Sequence, residues 1–253
     1  MKVVFHEDFY PVYTSDPASA PGRMESVVSA IDGAVTFVTA RPAFEADIAA
    51  VHTGFHIEMV KQSGLFDIAA LSAGGAILAA EIGLDEPGFG LIRPPGHHAS
   101  AASAWGFCYF NNMAVAMESL KRKQKIETAY VLDIDLHYGD GTVNILEKRN
   151  YVTVHNLETH DRNAYMDEVA KEMSTCRADI IGISAGFDNH IEDWGGLLLT
   201  EDYYNIGRLV KDASTRCKGG CFGILEGGYN HSVLGDNVKA LIKGLSEDPA
   251  PKE

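Results

Sequence analysis

The sequence predicts a single α/β domain spanning residues 1–253, with a central, mainly parallel sheet and helices on both faces. Five short apolar runs recur along the chain, and helical patterns lie between them. The runs are continuous rather than alternating, which is typical of strands that are covered on both faces of a parallel sheet. Alternation of strand and helix favours the same topology, because crossover helices then cover the sheet. A chain of 253 residues can bury one large core of this kind.

Apolar runs and helical patterns alternate in chain order. Val3-Val4-Phe5 is strand-like, and the five predicted strands are residues 89–92, 129–134, 151–154, 180–184 and 222–225. The predicted helices are residues 71–82, 112–123, 142–149, 165–173, 202–213 and 233–245. Residues 246–253 contain two prolines and mixed charge, and we expect this tail to be frayed.

Charge and cysteine content exclude several classes of protein. The formal net charge of -14 makes a nucleic acid an unfavourable partner, because the phosphate backbone is itself negative. The four cysteines do not have the spacing of a disulfide framework.

The N-terminus carries no basic region followed by a long apolar one, and no apolar run approaches the roughly 20 residues that span a bilayer. We therefore expect a cytoplasmic protein without a membrane partner.

Polar side chains follow four of the predicted strands, at the point where each strand ends. The four segments are Arg93-Pro-Pro-Gly-His-His98, Asp135-Leu-His-Tyr-Gly-Asp-Gly141, Ala185-Gly-Phe-Asp188 and Glu226-Gly-Gly-Tyr229. Ligands of open parallel sheets bind outside the carboxyl ends of the strands. The sequence therefore predicts one site at the C-terminal ends of the strands, where these separate segments meet.

Asp133, Asp135 and His137 are spaced two residues apart, so in extended chain they share a face. We expect Asp135 and His137 to bind one metal ion, with Asp188 as the third ligand and Asp133 nearby. Two carboxylates and one imidazole leave a coordination position open and suit Zn²⁺, with Fe²⁺ or Co²⁺ as alternatives. Two other interpretations stay open: a strand end that caps the next helix, and a phosphatase motif with an aspartyl nucleophile. Asp188 is also compatible with a simple turn residue.

His97 and His98 follow two prolines and a glycine, which fix the approach to the pair. Imidazole titrates near neutral pH, so the pair is suited to proton transfer, and Asp133 and Asp140 are both available to orient it. The other interpretation is two surface histidines in a loop.

Tyr229 follows Gly227 and Gly228. Its phenol can donate a hydrogen bond to an oxyanion beside a metal, or its ring can be an aromatic lid over the sheet edge.

The ordered motifs resemble the zinc-dependent histone deacetylase family, which includes acetylpolyamine amidohydrolases and related amidohydrolases on the arginase/deacetylase fold. The matching segments are Arg93–His98, Gly106-Phe-Cys-Tyr-Phe-Asn111, Asp133-Ile-Asp-Leu-His-Tyr-Gly-Asp-Gly141, Ser184-Ala-Gly-Phe-Asp188 and Gly227-Gly-Tyr-Asn230, with weaker matches at Arg23 and Val51-His-Thr53. The match covers roughly residues 89–231.

The resemblance implies Zn²⁺ on Asp135, His137 and Asp188. It also implies that His97 pairs with Asp133, that His98 pairs with Asp140, and that Tyr229 donates to the oxyanion. Gly106 and Phe107 would line a narrow acyl-lysine tunnel, and Gly227 and Gly228 would border the substrate. A structural K⁺ near Asp133, Asp135 and His137 is a further implication.

The chain departs from the family pattern in several places. It is shorter than typical members, and Ala20-Pro-Gly-Arg23 replaces a longer His-Pro-x-Arg-Pro segment. His155 stands where the family often has a serine that contributes to the K⁺ site. Residues 156–163 replace a longer loop that usually supplies a second tunnel aromatic, so we expect a pocket that is more open on one side.

The predicted reaction is hydrolysis of an N-acylated amine, with an acetyl group as the expected acyl group. Acetyl-lysine, an acetylpolyamine and a small N-acetyl metabolite are all compatible substrates. Two alternatives remain. One is a non-catalytic module that binds acyl groups on the same fold, and the other is a dimanganese ureohydrolase, which needs further acidic ligands around a second metal.

Overall fold

The structure, a computed structural model, describes residues 1–247 and contains one seven-stranded sheet in that range. The strands are β1 (Lys2–Phe5), β2 (Thr36–Thr39), β3 (Gly88–Gly90), β4 (Ala129–Asp133), β5 (Val152–Asn156), β6 (Ile180–Ala185) and β7 (Gly220–Leu225). Their order in the sheet is β2-β1-β3-β7-β6-β4-β5, and every pair is parallel. The predicted parallel α/β fold is confirmed.

Nine α-helices lie within the described range, eight of them between strands and the ninth after the last strand. They are α1 (Arg23–Ile31), α2 (Glu45–Ile48), α3 (Gly54–Gln62), α4 (Phe66–Gly83), α5 (Asn112–Arg122), α6 (Asp140–Leu146), α7 (Arg162–Thr175), α8 (Thr200–Cys217) and α9 (His231–Ser246). The helices α1, α7, α8 and α9 pack together in one layer, and α2 to α6 pack together in the other. Because helices cover both faces, the inner strands are buried along their whole length, which explains their continuous apolar sequences.

Polar side chains mark where several helices begin. Asn111 accepts a hydrogen bond from the backbone N–H of Ala114 at the start of α5, and Asp161 accepts one from Ala164 at the start of α7. Such caps satisfy backbone donors that have no partner within the helix. The six predicted helices all form, with ends that differ by up to five residues. The largest difference is in α4, which begins at Phe66 rather than at residue 71.

Two strand predictions were incomplete. β2 was not predicted, because Thr36–Thr39 is a largely exposed edge strand without a continuous apolar run. The run at residues 151–154 was expected to be covered on both faces, which is wrong. It forms β5, the other edge strand, which pairs only with β4 and is only partly buried. Of the tail that we expected to be frayed, Ser246 ends α9, whereas residues 248–253 lie outside the described range.

The helix α4 is long and apolar enough to cross a membrane by length and composition, but 67% of it is buried inside the protein. It packs on β1, β3 and β7 and against α5. Gly75 and Gly88 allow close packing around this helix, because a Cβ atom at either position would come within about 2.6 Å of Ile92 or Ala79. The apolar surface of α4 is therefore part of the core.

Candidate active site

The four segments with polar residues follow β3, β4, β6 and β7, which are neighbours in the order β3-β7-β6-β4. Since all four strands are parallel, their carboxyl ends lie at one edge of the sheet. Segments that are far apart in the sequence therefore meet there, as predicted from the positions of the strand ends.

Asp135, His137 and Asp188 form the one cluster of possible metal ligands found in residues 1–247, with ligand atoms within 4.8 Å of one another. Nδ1 of His137 lies 3.2 Å from Oδ1 of Asp135 and 3.1 Å from Oδ2 of Asp188. Backbone N–H groups fix both carboxylates: Gly227 donates to Asp135 at 2.8 Å, and Leu136 donates to Asp188 at 3.1 Å. The predicted ligands are therefore brought together and held in place.

Buried negative charge indicates that this cluster fits a cation. Four carboxylates at the site are at most 3% exposed: Asp133, Asp135, Asp188 and Glu226. Within the described residues no lysine or arginine forms an ion pair with any of them, and Oδ2 of Asp188 accepts no hydrogen bond. Burial and the charge of Asp135 raise the pKa of Asp188. Uncompensated buried charge costs several kcal/mol, and a divalent cation would neutralise it.

His97 and Asp133 form the inner His–Asp pair, in which both side chains are buried. Nδ1 of His97 lies 3.2 Å from Oδ2 of Asp133, and its Nε2 lies 3.7 Å from Oδ1 of Asp135. Burial acts to lower the pKa of His97, but the charges of Asp135 and Asp133 outweigh it and raise that pKa well above its ordinary value. A cation bound by Asp135 would weaken this effect, because it would offset the negative charge.

His98 and Asp140 form the outer His–Asp pair, at the border of the solvent. Nδ1 of His98 lies 2.8 Å from Oδ1 of Asp140, whose side chain is 43% exposed. Trp105 donates from Nε1 to Oδ2 of Asp140 at 2.9 Å and stacks on the His98 ring, with centroids 3.8 Å apart. Burial and the charge of His97 lower the pKa of His98 to about 4, against the effect of Asp140.

Tyr229 follows the turn after β7, in which Gly228 has a φ of +116°. A Cβ atom on Gly228 would come 2.8 Å from Leu234 and 2.9 Å from Phe187, so a larger residue would disturb this turn. Burial, followed by the charges of Asp135 and Asp188, raises the pKa of Tyr229 above its ordinary value. The phenol therefore stays protonated and can donate a hydrogen bond.

A cavity of about 110 Å³ opens onto this cluster. Its walls include the residues Pro95, His97, His98, Trp105, Gly106, Phe107, His137, Trp194, Gly227 and Tyr229. Of the residues predicted to bind substrate, Gly106, Phe107 and Gly227 line the cavity, whereas Gly228 does not. No residue of 156–163 lines the cavity, and Trp194 supplies an aromatic wall from a different loop.

The sequence analysis did not predict the roles of several residues of the site. Glu226 is fully buried, and its Oε2 accepts hydrogen bonds from the backbone N–H groups of Gly96 at 2.6 Å and His97 at 3.2 Å. Trp105 and Trp194 occur in loops without a periodic pattern, so no sequence signal pointed to them. Arg23, noted only as a weak match, donates to the carbonyl oxygens of Glu226 and Gly228 and thereby holds the turn before Tyr229.

The K⁺ site stays a prediction. Its expected ligands are main-chain carbonyl oxygens around Asp133, Asp135 and His137. His155 stands where the family often has a serine of this site, and its Nε2 atom lies 2.9 Å from Oε1 of Glu168.

The fold and the site together define a parallel α/β protein with a candidate metal site at the carboxyl edge of its sheet. The comparisons with known proteins identify its family. A family model described as the histone deacetylase domain matches residues 62–171 and 159–245. The chain therefore belongs to the histone deacetylase family.

Relatives of this chain carry deacetylase names. It is similar to a probable deacetylase of Methanothermobacter thermautotrophicus, with 29% identity over 96% of this chain and 90% of the relative. A histone deacetylase-like amidohydrolase of Pseudomonas aeruginosa is 29% identical over 88% of this chain and 74% of the relative. The polyamine deacetylase HDAC10 of Homo sapiens is 25% identical over 98% of this chain and 48% of its own length.

The fold is also similar to that in the crystal structure of the HDA15 HD domain. The TM-score is 0.84 at 23% sequence identity, over 99% of this chain and 90% of that chain. This likeness shows the shared fold.

Proposed function

We propose that this protein is a zinc-dependent deacetylase that hydrolyses the amide bond of an N-acetylated amine. The observation that carries the proposal is the convergence of three candidate metal ligands and two His–Asp pairs beside one cavity that Tyr229 also lines. Membership of the histone deacetylase family supports the reaction class.

Asp135, His137 and Asp188 would hold the metal ion. When bound, a divalent cation of this kind polarises the acyl carbonyl and lowers the pKa of a water molecule toward about 7. Two carboxylates and one imidazole favour Zn²⁺ on the chemistry of the ligands, and Fe²⁺ or Co²⁺ are the alternatives for the same set.

The His97/His98 pair moves the protons of the reaction. Asp140 holds Nδ1 of His98, which leaves Nε2 of His98 free to take a proton from the attacking water and return one to the leaving nitrogen. Asp133 holds Nδ1 of His97 in the same way, so that Nε2 of His97 faces the ligand Asp135. The buried carboxylate of Glu226 fixes the backbone at Gly96 and His97 and so orients the loop that carries both histidines.

Tyr229 donates a hydrogen bond from its phenolic O–H to the developing oxyanion. A donor of this kind typically contributes about 10²–10³-fold to the rate. The cavity of about 110 Å³ has room for a group of about four water-sized atoms, which is the size of an acetamide head. An acetyl group therefore fits this cavity, and acetyl-lysine, acetylpolyamines and small N-acetyl metabolites all carry it.

The test is hydrolysis of a fluorogenic acetyl-lysine substrate and of N-acetylated polyamines by the protein, before and after metal removal with dipicolinic acid. We expect turnover in the zinc-loaded protein, loss after chelation, and recovery on adding one equivalent of Zn²⁺. A matched control, Asp188→Asn, should neither retain zinc nor recover. Tight binding of acetylated amines without any turnover would instead support a non-catalytic acyl-binding module. Two manganese ions per chain would support a ureohydrolase.

A further inference from the structure

Trp194 lies in the loop between β6 and α8 and stacks on Tyr229. The two ring centroids are 4.0 Å apart and the ring planes differ by 25°. The indole also forms a T-shaped contact with the His137 ring, with centroids 6.1 Å apart and ring planes at 89°. Trp194 is 54% exposed, so its position is not explained by burial in the core. The contact places an aromatic ring against one face of the proposed oxyanion donor.

The residue before Trp194 holds the backbone of Tyr229. One oxygen of Asp193, Oδ2, accepts hydrogen bonds from the backbone N–H groups of Tyr229 at 2.8 Å and Asn230 at 2.7 Å. Asn230 in turn donates from Nδ2 to the carbonyl oxygen of Glu192 at 2.6 Å. The carboxylate of Asp193 therefore lies at the N-terminus of α9, where negative charge is favoured. Residues 192–194 thus contact both the main chain and the ring of Tyr229.

The same loop is tied to the candidate metal ligand Asp188. Gly195 donates its N–H to the carbonyl oxygen of Asp188 at 2.7 Å, and Asp193 donates to that of His190 at 2.9 Å. His190 is buried and its Nδ1 accepts the N–H of Glu192 at 3.2 Å. Residues 192–195 consequently link the position of Asp188 to the position of Tyr229.

We propose that Asp193 and Trp194 are positioning residues for Tyr229. The turn before Tyr229 contains Gly228, whose backbone is permissive, so the turn alone does not fix where the phenol points. An oxyanion donor must lie within about 2.7–3.1 Å of the developing charge, and a misplacement of about 1 Å can cost about 10²-fold in rate. The segment restricts both the backbone and the ring, and so keeps the phenol aimed at the cavity. This inference rests on the proposed function, because it requires Tyr229 to donate to the oxyanion.

A double-mutant cycle tests the inference on the zinc-loaded protein with the fluorogenic acetyl-lysine substrate. We expect Trp194→Ala to lower kcat about tenfold, with KM changed by less than about twofold. The Trp194 ring also borders the cavity, but its main effect is on the position of the Tyr229 hydroxyl. In the Tyr229→Phe background the same substitution should cost less than about twofold, because the hydroxyl that it positions is already absent. Trp194→Phe keeps an aromatic ring on Tyr229 and should retain most of kcat.

Asp193→Ala is measured in the same cycle. It removes the hydrogen bonds to the backbone of Tyr229 and Asn230 and leaves the Trp194 ring, which contacts His137, in the sequence. The matched control is Ile191→Ala, a 53% exposed apolar side chain of the same loop that does not line the cavity, and it should leave kcat unchanged. Zinc content and thermal unfolding are measured for every variant. An equal loss in both backgrounds, or a raised KM with normal kcat, would overturn the inference.

Fluorescence gives a readout that does not depend on turnover. The chain has two tryptophans, so Trp105→Phe leaves Trp194 as the only one. In that background Asp193→Ala should shift the emission maximum to the red, because the indole leaves its stack and meets water. An unchanged spectrum would contradict the inference. Near-normal turnover of Tyr229→Phe would overturn both the role of Tyr229 as oxyanion donor and the positioning role. Normal kcat in Trp194→Ala, with an inactive Tyr229→Phe, would overturn the positioning role alone.

Discussion

The inner and outer His–Asp pairs have the same chemical groups in opposite environments. The side chains of His97 and Asp133 are 4% and 1% exposed, whereas Asp140, the partner of His98, is 43% exposed. Carboxylates surround His97 and raise its pKa, although burial alone would lower it. Burial and the neighbouring His97 lower the pKa of His98 to about 4. Adjacent histidines in one loop therefore have opposite tendencies to hold a proton.

The surroundings, rather than the residue type, therefore separate the roles of the two histidines. A neutral imidazole can accept a proton, and a charged one stabilises nearby negative charge. Within the proposed function, we assign the proton transfers of the pair to His98, whose Nδ1 is held by Asp140, and the stabilisation of charge beside Asp135 to His97, whose Nε2 faces that carboxylate. Substitutions at His98, Asp133 and Asp140 test this division.

His98→Ala should have the largest effect on turnover. Proton transfer by a positioned side chain contributes about 10²–10⁴-fold, so we expect kcat to fall by that order while zinc binding is retained, because His98 is not a ligand. Steady-state kinetics and zinc analysis check this. His160→Ala, which removes an exposed histidine away from the site, is the control. A loss for His98→Ala smaller than the loss for His97→Ala would reverse the proposed division of roles.

Asp133→Asn should have an intermediate effect. Oδ2 of Asp133 interacts with Nδ1 of His97 and Oδ1 accepts the backbone N–H of Asp135, so both oxygens are in use. Asparagine has only one acceptor oxygen, and the donor left without a partner would be buried. Substitution of such a partner typically costs about 10–100-fold, and we expect the upper end of this range in kcat/KM. A change of less than about threefold would show that the buried pair does not orient His97.

The site was largely predictable because its residues follow strand ends. Asp135, His137 and Asp188 could be assigned to one cluster, since the carboxyl ends of neighbouring parallel strands meet at one edge. Which carboxylate serves which histidine did not follow from the residues alone, because Asp133 and Asp140 were both available. That pairing came from the family resemblance, and the distances of 3.2 and 2.8 Å agree with it.

Residues whose contacts depend on tertiary structure could not be predicted. Trp194 is distant from Tyr229 in the sequence and belongs to a loop without a hydrophobic period, so only the fold brings the two rings together. Glu226 was noted as the residue after a strand, but its hydrogen bonds to Gly96 and His97 depend on β3 and β7 being neighbours. The edge strand β2 was missed for a related reason, because exposure removes the apolar signal of a strand.

Asp140→Asn should have the smallest effect of the three substitutions, although both oxygens of Asp140 are also in use. Oδ1 interacts with Nδ1 of His98, and Oδ2 accepts from the indole N–H of Trp105. Asparagine can satisfy only one of these donors. The other can turn to water, because Trp105 is 54% exposed. We therefore expect a loss of about tenfold in kcat/KM, at the lower end of the range for such partners.

Trp105→Phe sharpens this last prediction, because it removes the second donor while keeping a ring beside His98. In the Trp105→Phe background, asparagine at position 140 can give its single acceptor oxygen to His98 without conflict. The cost of Asp140→Asn should therefore shrink to about threefold or less, which the ratio of kcat/KM values measures. The contrary result is a loss in kcat/KM for Asp140→Asn that equals the loss for Asp133→Asn, both with Trp105 and with Trp105→Phe. Solvent exposure would then not reduce the cost of changing the outer pair, and the proposed difference between the two pairs would be wrong.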